Sequence, residues 1–463
     1  MHYHGKSAAA RRRFLRQFGA GLLTVPLLTG SQAQAQTLAG PIRRPAATDR
    51  IGLACIGMGI QGFNDVNAAL KNPGIELVAV ADLYDGRLAR AKEVYGDRVF
   101  TTRDYREILE RRGVDAVIVA TPDFWHDTIT IDALAAGKHV YCEKPLVQSL
   151  DEGQAILEAE KRSPGVLIVG SQGVSSILTE KARDLFRNGE LGQLVLAESF
   201  NDRFSHRGAW QYSIPTDASP TTVDWDTFLK DTADRPFSAD RFFRWRNYEA
   251  YGTGVGGDLF VHLFSETHRM LDSLGPERIY ATGGLRYWRD GRNVPDVFLA
   301  NADYGRQDTH PAFNMQLRVN FVAGGGEGNQ TRLVGSAGSL DLGWNSLTLR
   351  RRELPAQPGY GGWDSFGTFT TAQQKEFEAW YRANHPAPNP EVEGPTEWTY
   401  RTPEGYSDHV HHFSNWFTAI RENGKVVEDG AFGFRAAAPS LAANESYASG
   451  QAVNWDPVSM RRG

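Results

Sequence analysis

A lysine between a glutamate and a proline, in Glu143-Lys144-Pro145, is the first group in this chain whose setting suggests chemistry. It directly follows an apolar run, residues 138–142, that has the composition of a buried strand. Loops that leave the carboxyl ends of parallel strands are where open α/β sheets bind ligands. Pro145 disfavours a helical backbone at Lys144, which would hold the ammonium group in one direction. The alternative is a solvated lysine at a strand end, which this motif alone does not exclude.

A second candidate pair, Asp258 and His262, follows the glycine-rich stretch 252–257. A spacing of four places both side chains on one face of a helix, one turn apart. Glycines ahead of that face would let it lie against a ligand, and a histidine with a near-neutral pKa suits a general base. The alternative is an aspartate that caps the helix, followed by a histidine with its hydrogen bonds satisfied in the core.

A G-x-G-x-x-G stretch, Gly57-Met58-Gly59-Ile60-Gln61-Gly62, lies between a strand-like run and a helix-like run. Twenty residues after Gly62, Asp82 ends the next apolar strand. These features predict a dinucleotide site: glycines allow close approach of the pyrophosphate, a helix N-terminus favours its charge, and a carboxylate accepts from the adenosine ribose. A negative charge at Asp82 would repel a 2′-phosphate, which favours NAD over NADP. The alternative is a glycine-rich turn and a capping aspartate.

The elements that must position these residues follow two patterns. Strand-like and helix-like runs alternate up to residue 172, which predicts a doubly wound parallel sheet of six strands. Residues 313–321 instead alternate strictly between apolar and polar, as an antiparallel strand with one polar face does. We therefore expect an α/β Rossmann fold with a doubly wound parallel sheet, plus a C-terminal α+β domain with a mainly antiparallel sheet.

The predicted domains are 50–172, which binds the dinucleotide, and 173–463, for substrate and oligomerisation. Insertions are expected near 201–251 and 355–400, and amphipathic helices at 409–422 and 434–449. The first insertion is rich in aromatic and basic side chains: Arg203, Trp210, Tyr212, Trp225, Trp245, Arg246 and Tyr248. Aromatic rings beside polar groups suit a carbohydrate. Of these, Arg203, Trp245, Arg246 and Tyr248 are the candidates for substrate contact, with core packing as the alternative.

The first 35 residues have the features of an export signal. Residues 10–16 match a twin-arginine motif, a moderately apolar run covers 18–28, and Ala33-Gln34-Ala35 is a small-x-small cleavage site. The apolar run is too short to span a membrane. We expect residues 1–35 to be a signal peptide for the twin-arginine machinery and 36–49 an extended arm. The mature protein would be soluble and periplasmic, or otherwise exported; a disordered basic tail is the alternative.

The charge balance excludes some partners. The 463 residues carry 50 basic and 55 acidic side chains, and because the signal holds five basic residues and no acids, the mature net charge is −10. No basic block remains, which argues against nucleic acid and an anionic membrane surface. Cys55 and Cys142 lie in separate strand-like runs, so we expect buried free thiols, with a disulfide as the alternative. The predicted site includes no metal.

The joint pattern resembles the Gfo/Idh/MocA oxidoreductase family, named for glucose–fructose oxidoreductase and inositol dehydrogenase. The matching features are the 57–62 stretch, Thr121-Pro122 with His126, the run 136–140 leading into Glu143-Lys144-Pro145, and Asp258-x-x-x-His262. The resemblance covers about residues 49–457. It implies that Lys144, Asp258 and His262 form the catalytic group around a reacting carbinol. The export signal and the insertions resemble a sugar-handling subgroup.

The resemblance also implies a set of cofactor-binding residues. They are Gly57, Gly59, Ile60, Gln61, Gly62, Asp82, Thr121, Pro122, His126, Glu143, Lys144 and Gln172. Gln172 occupies the place of a residue near the nicotinamide. The family often has a basic residue directly after it, where this chain has Gly173, so no substrate contact is expected there. The expected cofactor is NAD, with NADP less favoured.

The function that follows is an exported NAD-dependent oxidoreductase acting on a sugar or sugar derivative. Hydride would leave a C–OH carbon as His262 takes the hydroxyl proton; Lys144 would stabilise the alkoxide, and Asp258 would orient the histidine or hold a second hydroxyl. A redox-neutral NAD-dependent glycosidase, which some family relatives imply, would use the same residues. A non-catalytic carbohydrate-binding protein is the third hypothesis, and the intact catalytic group argues against it.

Export also bears on how the cofactor is used. Free nicotinamide dinucleotides are made and recycled in the cytoplasm, whereas the twin-arginine route carries folded proteins. We therefore expect a cofactor that is loaded before export and then kept, under a cover supplied by the 36–49 arm or by an insertion. An open antiparallel face in the second domain would suit packing of subunits into a homo-oligomer.

Overall fold

The computed structural model describes residues 50–463 except 353, 356 and 386–395. The predicted signal peptide, 1–35, and arm, 36–49, lie outside the described residues, as does part of the 355–400 segment. Within the described residues, the helices are too short or too polar to cross a bilayer.

Six parallel strands form the first sheet, in the order β3-β2-β1-β4-β5-β6. They are β1 Ile51–Ile56, β2 Ile75–Ala81, β3 Phe100–Thr102, β4 Ala116–Val119, β5 His139–Cys142 and β6 Leu167–Val169. The helices between them are α1 Ile60–Ala69, α2 Asp85–Tyr95, α3 Tyr105–Glu110, α4 His126–Ala135 and α5 Gly153–Arg162. Every residue of β1 and β4 is buried, as expected for strands covered on both faces. The predicted doubly wound sheet is confirmed.

The strand order reverses at β1, which pairs with β2 on one side and β4 on the other. In open α/β sheets, ligands bind in the crevice outside the carboxyl ends of the strands at such a switch point. The glycine stretch leaves β1, Thr121 follows β4 and Glu143 follows β5. The topology therefore brings three predicted groups to one edge. Cys55 and Cys142 are buried free thiols, as predicted.

The second sheet has ten strands in the order β14-β13-β12-β11-β7-β10-β9-β8-β15-β16. They are β7 Leu194–Asp202, β8 Arg278–Gly284, β9 Val297–Tyr304, β10 Phe313–Asn320, β11 Gly328–Gly335, β12 Gly338–Leu342, β13 Ser346–Arg351, β14 Thr396–Arg401, β15 Val453–Asp456 and β16 Arg461–Arg462. Burial alternates along β10 as its sequence predicts. β10 pairs antiparallel with β9 but parallel with β7, so the sheet is mainly, not wholly, antiparallel.

The remaining helices pack around this sheet or lie in the insertions. They are α6 Ile177–Arg187, α7 Trp225–Leu229, α8 Ala239–Phe243, α9 Val261–Leu271, α10 Thr371–Asn384, α11 Asp408–Glu422 and α12 Gly430–Ser449. The 355–400 segment thus contains α10 and most of β14. Helices α11 and α12 match the two predicted helices and begin one and four residues earlier, respectively.

Helix α11 returns to the first sheet, although the sequence assigned it to the second domain. Its Phe413, Trp416 and Phe417 are fully buried and belong to the core of the first sheet. Phe413 stacks on Tyr141 of β5, with ring centroids 4.4 Å apart. The Trp416 indole N–H donates to the Val166 carbonyl at 3.2 Å. The first sheet is therefore completed by a late helix, and the 50–172 boundary stays a prediction.

Candidate functional site

The glycine stretch forms a tight cradle between β1 and α1. Gly57 has a φ of 95°, and a Cβ there would lie 2.5 Å from the Ala120 carbonyl oxygen. A Cβ at Gly62 would lie 2.0 Å from the Gly57 carbonyl oxygen. Gly59 caps α1 without a side-chain hydrogen bond, which leaves the N-terminal N–H groups of the helix for a ligand. This backbone fits a dinucleotide pyrophosphate.

Asp82 is 6% exposed and fixes the turn that follows β2. Its carboxylate accepts from the Met58 N–H at 2.7 Å and the Tyr84 N–H at 2.9 Å. The Arg87 guanidinium lies 3.3 Å from the same carboxylate. The sequence analysis missed Arg87, although an arginine in the first turn after this strand is a recognisable signal. Because Arg87 offsets the charge of Asp82, the expected repulsion of a 2′-phosphate is weaker than the sequence predicts.

His126 supports the crevice rather than lining it. The ring is 1% exposed, with Nδ1 2.8 Å from the Pro145 carbonyl oxygen and Nε2 3.0 Å from that of Thr121. Two carbonyl acceptors require two N–H donors, so the geometry calls for an imidazolium. Burial lowers the pKa of His126, but Cys142, Asp123 and the Pro145 carbonyl raise it to about 10. His126 thus ties together the loops that carry Thr121 and Lys144.

Lys144, Asp258 and Arg246 form a partly buried charged cluster. The Lys144 ammonium donates to Asp258 Oδ1 at 2.7 Å and to the Asp258 carbonyl oxygen at 3.0 Å. Arg246 Nε donates to the same Oδ1 at 3.3 Å. The Lys144 and Asp258 side chains are only 10% and 7% exposed. One carboxylate therefore serves two cations.

Asp258 lies in a π-helical turn, Gly256–Phe260, and not in the α-helix that the spacing predicts. His262 follows in the first turn of α9. The glycines permit close packing, since a Cβ at Gly256 would lie 2.3 Å from Asn444 Oδ1 of α12. π-Helical turns inside α-helices are frequent at functional sites. Asp258 and His262 still line the same cavity.

Asp123 anchors the approach to this turn. It is 2% exposed, and its carboxylate accepts from the Thr253 N–H at 2.9 Å and the Thr253 hydroxyl at 2.8 Å. The Thr253 carbonyl oxygen in turn accepts from Asn444 Nδ2 at 2.7 Å. The loop after β4 is thereby joined to the glycine-rich stretch. Asp123 directly follows the quoted Thr121-Pro122, a signal that the sequence analysis did not use.

The cluster holds Asp258 charged and His262 neutral. Burial raises the pKa of Asp258, but Lys144 and Arg246 outweigh it and keep that pKa well below its usual range. Burial and the nearby Lys144 lower the pKa of His262 to about 3, despite the opposing effect of Asp258. The near-neutral pKa expected for His262 is not what the structure gives. Within the described residues no side chain bonds the imidazole, so Asp258 anchors Lys144 rather than orienting His262.

Glu143 forms the other wall beside Lys144. Its Oε1 accepts from Gln172 Nε2 at 2.9 Å and from Gln61 Nε2 at 3.1 Å. Gln61 also donates to the buried Asp65 at 2.9 Å. Burial and the charge of Asp65 raise the pKa of Glu143 to about 7. Two predicted residues, Gln61 and Gln172, are thus brought together on a carboxyl group that titrates near neutrality.

These groups surround one cavity of about 460 Å³. Predicted residues that line it are Gly57, Gly59, Ile60, Gln61, Asp82, Thr121, Pro122, Glu143, Lys144, Gln172, Arg203, Trp245, Arg246, Asp258 and His262. Three predicted residues, Gly62, His126 and Tyr248, lie behind its wall. Trp210 and Tyr212, from the aromatic and basic group of the first insertion, line it as well. Residues that were not predicted and also line it include Arg87, Arg103, Tyr105, Arg106, Phe242 and Phe243. The cavity runs from the glycine cradle to the Lys144 cluster.

A family model described as an oxidoreductase family with an NAD-binding Rossmann fold, GFO_IDH_MocA, matches residues 51–171. Among curated proteins, the chain is similar to an alpha-N-acetylgalactosaminidase from Shewanella oneidensis. The two are 28% identical over 237 residues, 47% of this chain and 50% of that protein. A glycosyl hydrolase family 109 protein from a Shewanella strain, ANA-3, is 29% identical over 240 residues, with the same coverage. The chain thus spans about half the length of the curated relatives it matches.

Solved structures share the fold over most of the chain. Levoglucosan dehydrogenase in complex with NADH aligns with a TM-score of 0.62 and 17% identity, covering 88% of this chain and 99% of that one. Aldose-aldose oxidoreductase from Caulobacter crescentus aligns with a TM-score of 0.61 and 16% identity, covering 88% and 99%. At these identities the likeness shows the fold alone. The family model thus covers the part of the chain that forms the first sheet, and the solved structures share the fold beyond it.

Proposed function

We propose that this protein is an NAD-dependent oxidoreductase that transfers hydride at a carbinol carbon of a sugar or sugar derivative. The observation that carries the proposal is the single cavity that joins a dinucleotide cradle to the Lys144, Asp258 and His262 cluster. A cation held by a carboxylate, beside a neutral imidazole, is suited to alcohol oxidation. Sugar-handling relatives and fold neighbours support the substrate class.

The chain's own residues handle the charge that the reaction develops. A bound nicotinamide supplies the hydride acceptor. His262, neutral at physiological pH, takes the hydroxyl proton as the C–H hydride departs, so that the carbinol becomes a carbonyl. Lys144 donates to the oxygen as it gains negative charge. Asp258 holds Lys144 in place through the 2.7 Å ion pair, and in the reverse direction the same groups return the proton.

Two features support NAD as the cofactor. The cradle fits a pyrophosphate, and the buried Asp82 follows β2, a position where dinucleotide-binding sheets carry an acidic residue for the adenosine ribose. The carboxylate disfavours a 2′-phosphate by charge. Arg87, at 3.3 Å, opposes that effect, so NADP is the weaker ligand rather than an excluded one. Glu143, Gln172 and Lys144 would then hold the nicotinamide end of the dinucleotide.

We also propose that the protein is exported to the periplasm, assembles as a homo-oligomer and retains its cofactor. Retention is supported by a cover over the adenosine end of the cavity, which is formed by residues 217–243 of the 201–251 insertion. Val223 forms a β-bridge with Tyr84. Asp224 N–H donates to the Leu83 carbonyl at 2.8 Å, and the Tyr84 hydroxyl donates to Asp217 at 2.5 Å. Phe242 and Phe243 of this segment also line the cavity.

The second candidate is a redox-neutral glycosidase. A sugar carbinol would pass hydride to bound NAD, and the carbonyl so formed would let the glycosidic substituent leave as an alcohol by elimination. Water would then add to the double bond, and the hydride would return from the reduced cofactor to the carbonyl. The observation that favours it is the similarity to an alpha-N-acetylgalactosaminidase and to glycosyl hydrolase family 109 proteins. A kept cofactor suits this chemistry, because no second dinucleotide is needed.

A product assay tests both candidates. Purified protein with bound NAD is mixed with a panel of free sugars and glycosides. The reduction of nicotinamide is followed by absorbance, and the sugar products are identified by mass spectrometry. An oxidised sugar with matching nicotinamide reduction supports the oxidoreductase. A released sugar with no net change in the cofactor supports the glycosidase. Binding of sugar with neither product would overturn both and favour the non-catalytic hypothesis.

A further inference from the structure

The substrate end of the cavity carries more positive than negative charge. Lys144, Arg203 and Arg246 all line it, and Asp258 is the carboxylate that two of them share. Lys144 lies 2.7 Å and Arg246 3.3 Å from that carboxylate. The group of four therefore has three cations and one anion.

In the part of the chain that the structure describes, the hydrogen-bond partners of Arg203 are neutral, and the carboxylates of Asp258 and Glu327 act on it only over a longer distance. Its Nε donates to Asn201 Oδ1 at 3.2 Å and its NH1 to the Gly208 carbonyl at 3.2 Å. Its guanidinium carbon lies 5.6 Å from the centre of the Phe321 ring. Within the described residues no carboxylate comes within 4 Å of it. A partly buried cation without an acid costs free energy unless a ligand compensates it.

The two arginines also keep donors unused. Arg246 is bonded to Asp258 only through Nε, and Arg203 uses Nε and NH1. Among the described residues, three terminal nitrogens of the two guanidinium groups have no hydrogen-bond acceptor and remain for a ligand in the cavity they both line. Guanidinium groups bind carboxylate and phosphate oxygens through paired, charge-assisted hydrogen bonds.

The other charged groups around this end do not supply the missing anion. Asp123 is already held by the Thr253 N–H and hydroxyl at 2.9 and 2.8 Å, and it faces the imidazolium of His126. Glu143 lies on the opposite wall, bonded by Gln61 and Gln172. The pyrophosphate of a dinucleotide belongs to the glycine cradle at the other end of the cavity.

We propose that the substrate is an anionic sugar, whose carboxylate or phosphate is bound by Arg203 and the free terminal nitrogens of Arg246. This inference rests on the proposed function and specifies its substrate class. The reacting carbinol lies toward Lys144 and His262, and the anionic group lies toward the 201–251 insertion. Tyr212 and Trp245, which line the same end, offer the aromatic surface that a sugar ring packs against.

Calorimetric titration of the NAD-loaded protein tests the inference with matched probes. The probes are glucose, glucuronate and glucose 6-phosphate, and galactose with galacturonate. We expect at least one anionic probe to bind more tightly than its neutral partner by about 10–100-fold, as charge-assisted hydrogen bonds supply, and to weaken as salt is added. Comparing the carboxylate probes with the phosphate probe identifies which anionic group the site binds.

Variants separate the anion site from general damage. Arg203→Met should weaken binding of the anionic sugar much more than binding of the neutral sugar, and so remove the preference for the anion. Arg203→Lys should restore part of that preference. Arg207→Met, an exposed position in the same segment, is the matched control and should behave as the unmodified protein. Melting temperatures of all variants show whether Arg203→Met stays folded. If it does not, the inference is tested by Arg203→Lys and by the salt dependence of anionic-sugar binding to the unmodified protein.

The outcomes distinguish this inference from the proposed function. Equal binding of neutral and anionic sugars, or equal losses for both in Arg203→Met, overturns the anionic substrate and leaves hydride transfer standing. Selective binding of an anionic sugar without any nicotinamide reduction or glycoside cleavage keeps the anion site and overturns the proposed function. Selective binding with turnover supports both.

Discussion

Lys144 and His262 flank the same part of the cavity, one charged and the other neutral. Lys144 is an ammonium held by Asp258, and His262 is neutral because burial and Lys144 lower its pKa to about 3. We expect Lys144→Ala and His262→Ala each to lower turnover by about 10²–10⁴-fold, the usual contribution of an electrostatic or acid–base group. Steady-state kinetics on the identified substrate measure this, and calorimetry should show dinucleotide binding retained.

The control for both variants is Lys161→Ala, whose side chain is 69% exposed on α5 and should leave turnover unchanged. Lys144→Ala also leaves the buried Asp258 with Arg246 alone, so its melting temperature is measured alongside. Near-normal turnover in either active-site variant means that the role assigned to that residue is wrong.

Glu143 gives the site a pH dependence near neutrality. Its pKa is raised to about 7, so the carboxyl is neutral below that pH and charged above it. Oxidised nicotinamide carries a positive charge that the reduced ring lacks, and a charged Glu143 would favour the oxidised form. We expect the affinity for NAD⁺ relative to NADH to rise by about 3–10-fold from about pH 6 to pH 8. Titrations at both pH values measure it.

Glu143→Gln is the matched variant, and its affinity ratio should not change with pH over that range. Stability gives an independent readout. The folded carboxyl keeps a proton that the unfolded chain releases, so its contribution to stability is lost as the pH rises through about 7. Glu143→Gln should therefore gain melting temperature relative to the unmodified protein at high pH only. If the affinity for NAD⁺ relative to NADH still rises with pH in Glu143→Gln, another group causes the pH dependence.

Asp82 and Arg87 oppose each other in the choice of cofactor. We expect the protein to prefer NAD to NADP, Asp82→Ala to narrow that preference, and Arg87→Ala to widen it, because the first change removes repulsion and the second removes attraction for a 2′-phosphate. Each change should be about 3–10-fold in the ratio of dissociation constants, since the pair is 3.3 Å apart and partly screened. Equal or tighter NADP binding by the unmodified protein would refute the assignment of Asp82.

Residue types, spacing and the family resemblance together predicted fifteen of the residues that line the cavity. The motifs at Gly57, Thr121 and Glu143 could be placed because each follows a strand end that the topology brings to one edge. Arg87 and Asp123 occupy recognisable positions in the sequence, but their roles could not be predicted from it. Arg87 acts through an ion pair with Asp82, and Asp123 acts through Thr253, a partner 130 residues away. The lowered pKa of His262 also could not be predicted from the sequence, because it depends on how deeply the ring is buried and on its distance from Lys144.

At the scale of elements, the periodic spacing of apolar residues predicted the helices and strands but not the elements they pack against. The i, i+4 spacing predicted an α-helix at Asp258, whereas the glycines and the packing of Asn444 give a π-helical turn. The alternation in β10 gave its buried face but not its parallel pairing with β7. Helix α11 was predicted as a helix but assigned to the second domain, whereas it packs on the first sheet. Amphipathicity shows that one face of a helix is buried but not which element covers that face.

The cover over the adenosine end depends on a few contacts from the 201–251 insertion. Lys230 is one of them: its ammonium donates to the Phe124 carbonyl at 2.9 Å and to Asp127 at 3.2 Å, and lies 5.1 Å from the centre of the Trp125 ring. We expect Lys230→Met to speed release of bound dinucleotide by about 10-fold, because it removes charge-assisted hydrogen bonds but keeps the aliphatic stem. Chasing bound NAD with a labelled excess measures the rate.

Lys375→Met, at an exposed position on α10, is the control for this release rate. The dinucleotide affinity of Lys230→Met should fall through faster dissociation and not through slower association. An unchanged release rate would show that the insertion does not cover the cofactor.

At the scale of the whole molecule, the proposed export signal and the dinucleotide cradle make conflicting demands. A protein that acts outside the cytoplasm meets little free NAD, so it must carry its cofactor with it. The cavity lies between the loops of the first sheet and residues 203–262, and the segment at 217–243 contacts the loop after β2 at its adenosine end, which suits slow exchange. A kept cofactor also requires each oxidation to be matched by a reduction in the same site, either between two sugars or within one.

We therefore expect protein purified without added cofactor to carry nearly one NAD per chain, and to keep it through dialysis. Denaturing the protein and quantifying the released dinucleotide by mass spectrometry measures the occupancy. Lys230→Met, purified in parallel, should lose more of its NAD during the same dialysis. Protein that emerges empty and turns over only with excess free NAD would contradict retention, and would leave an ordinary exchanging dehydrogenase whose proposed export needs another explanation.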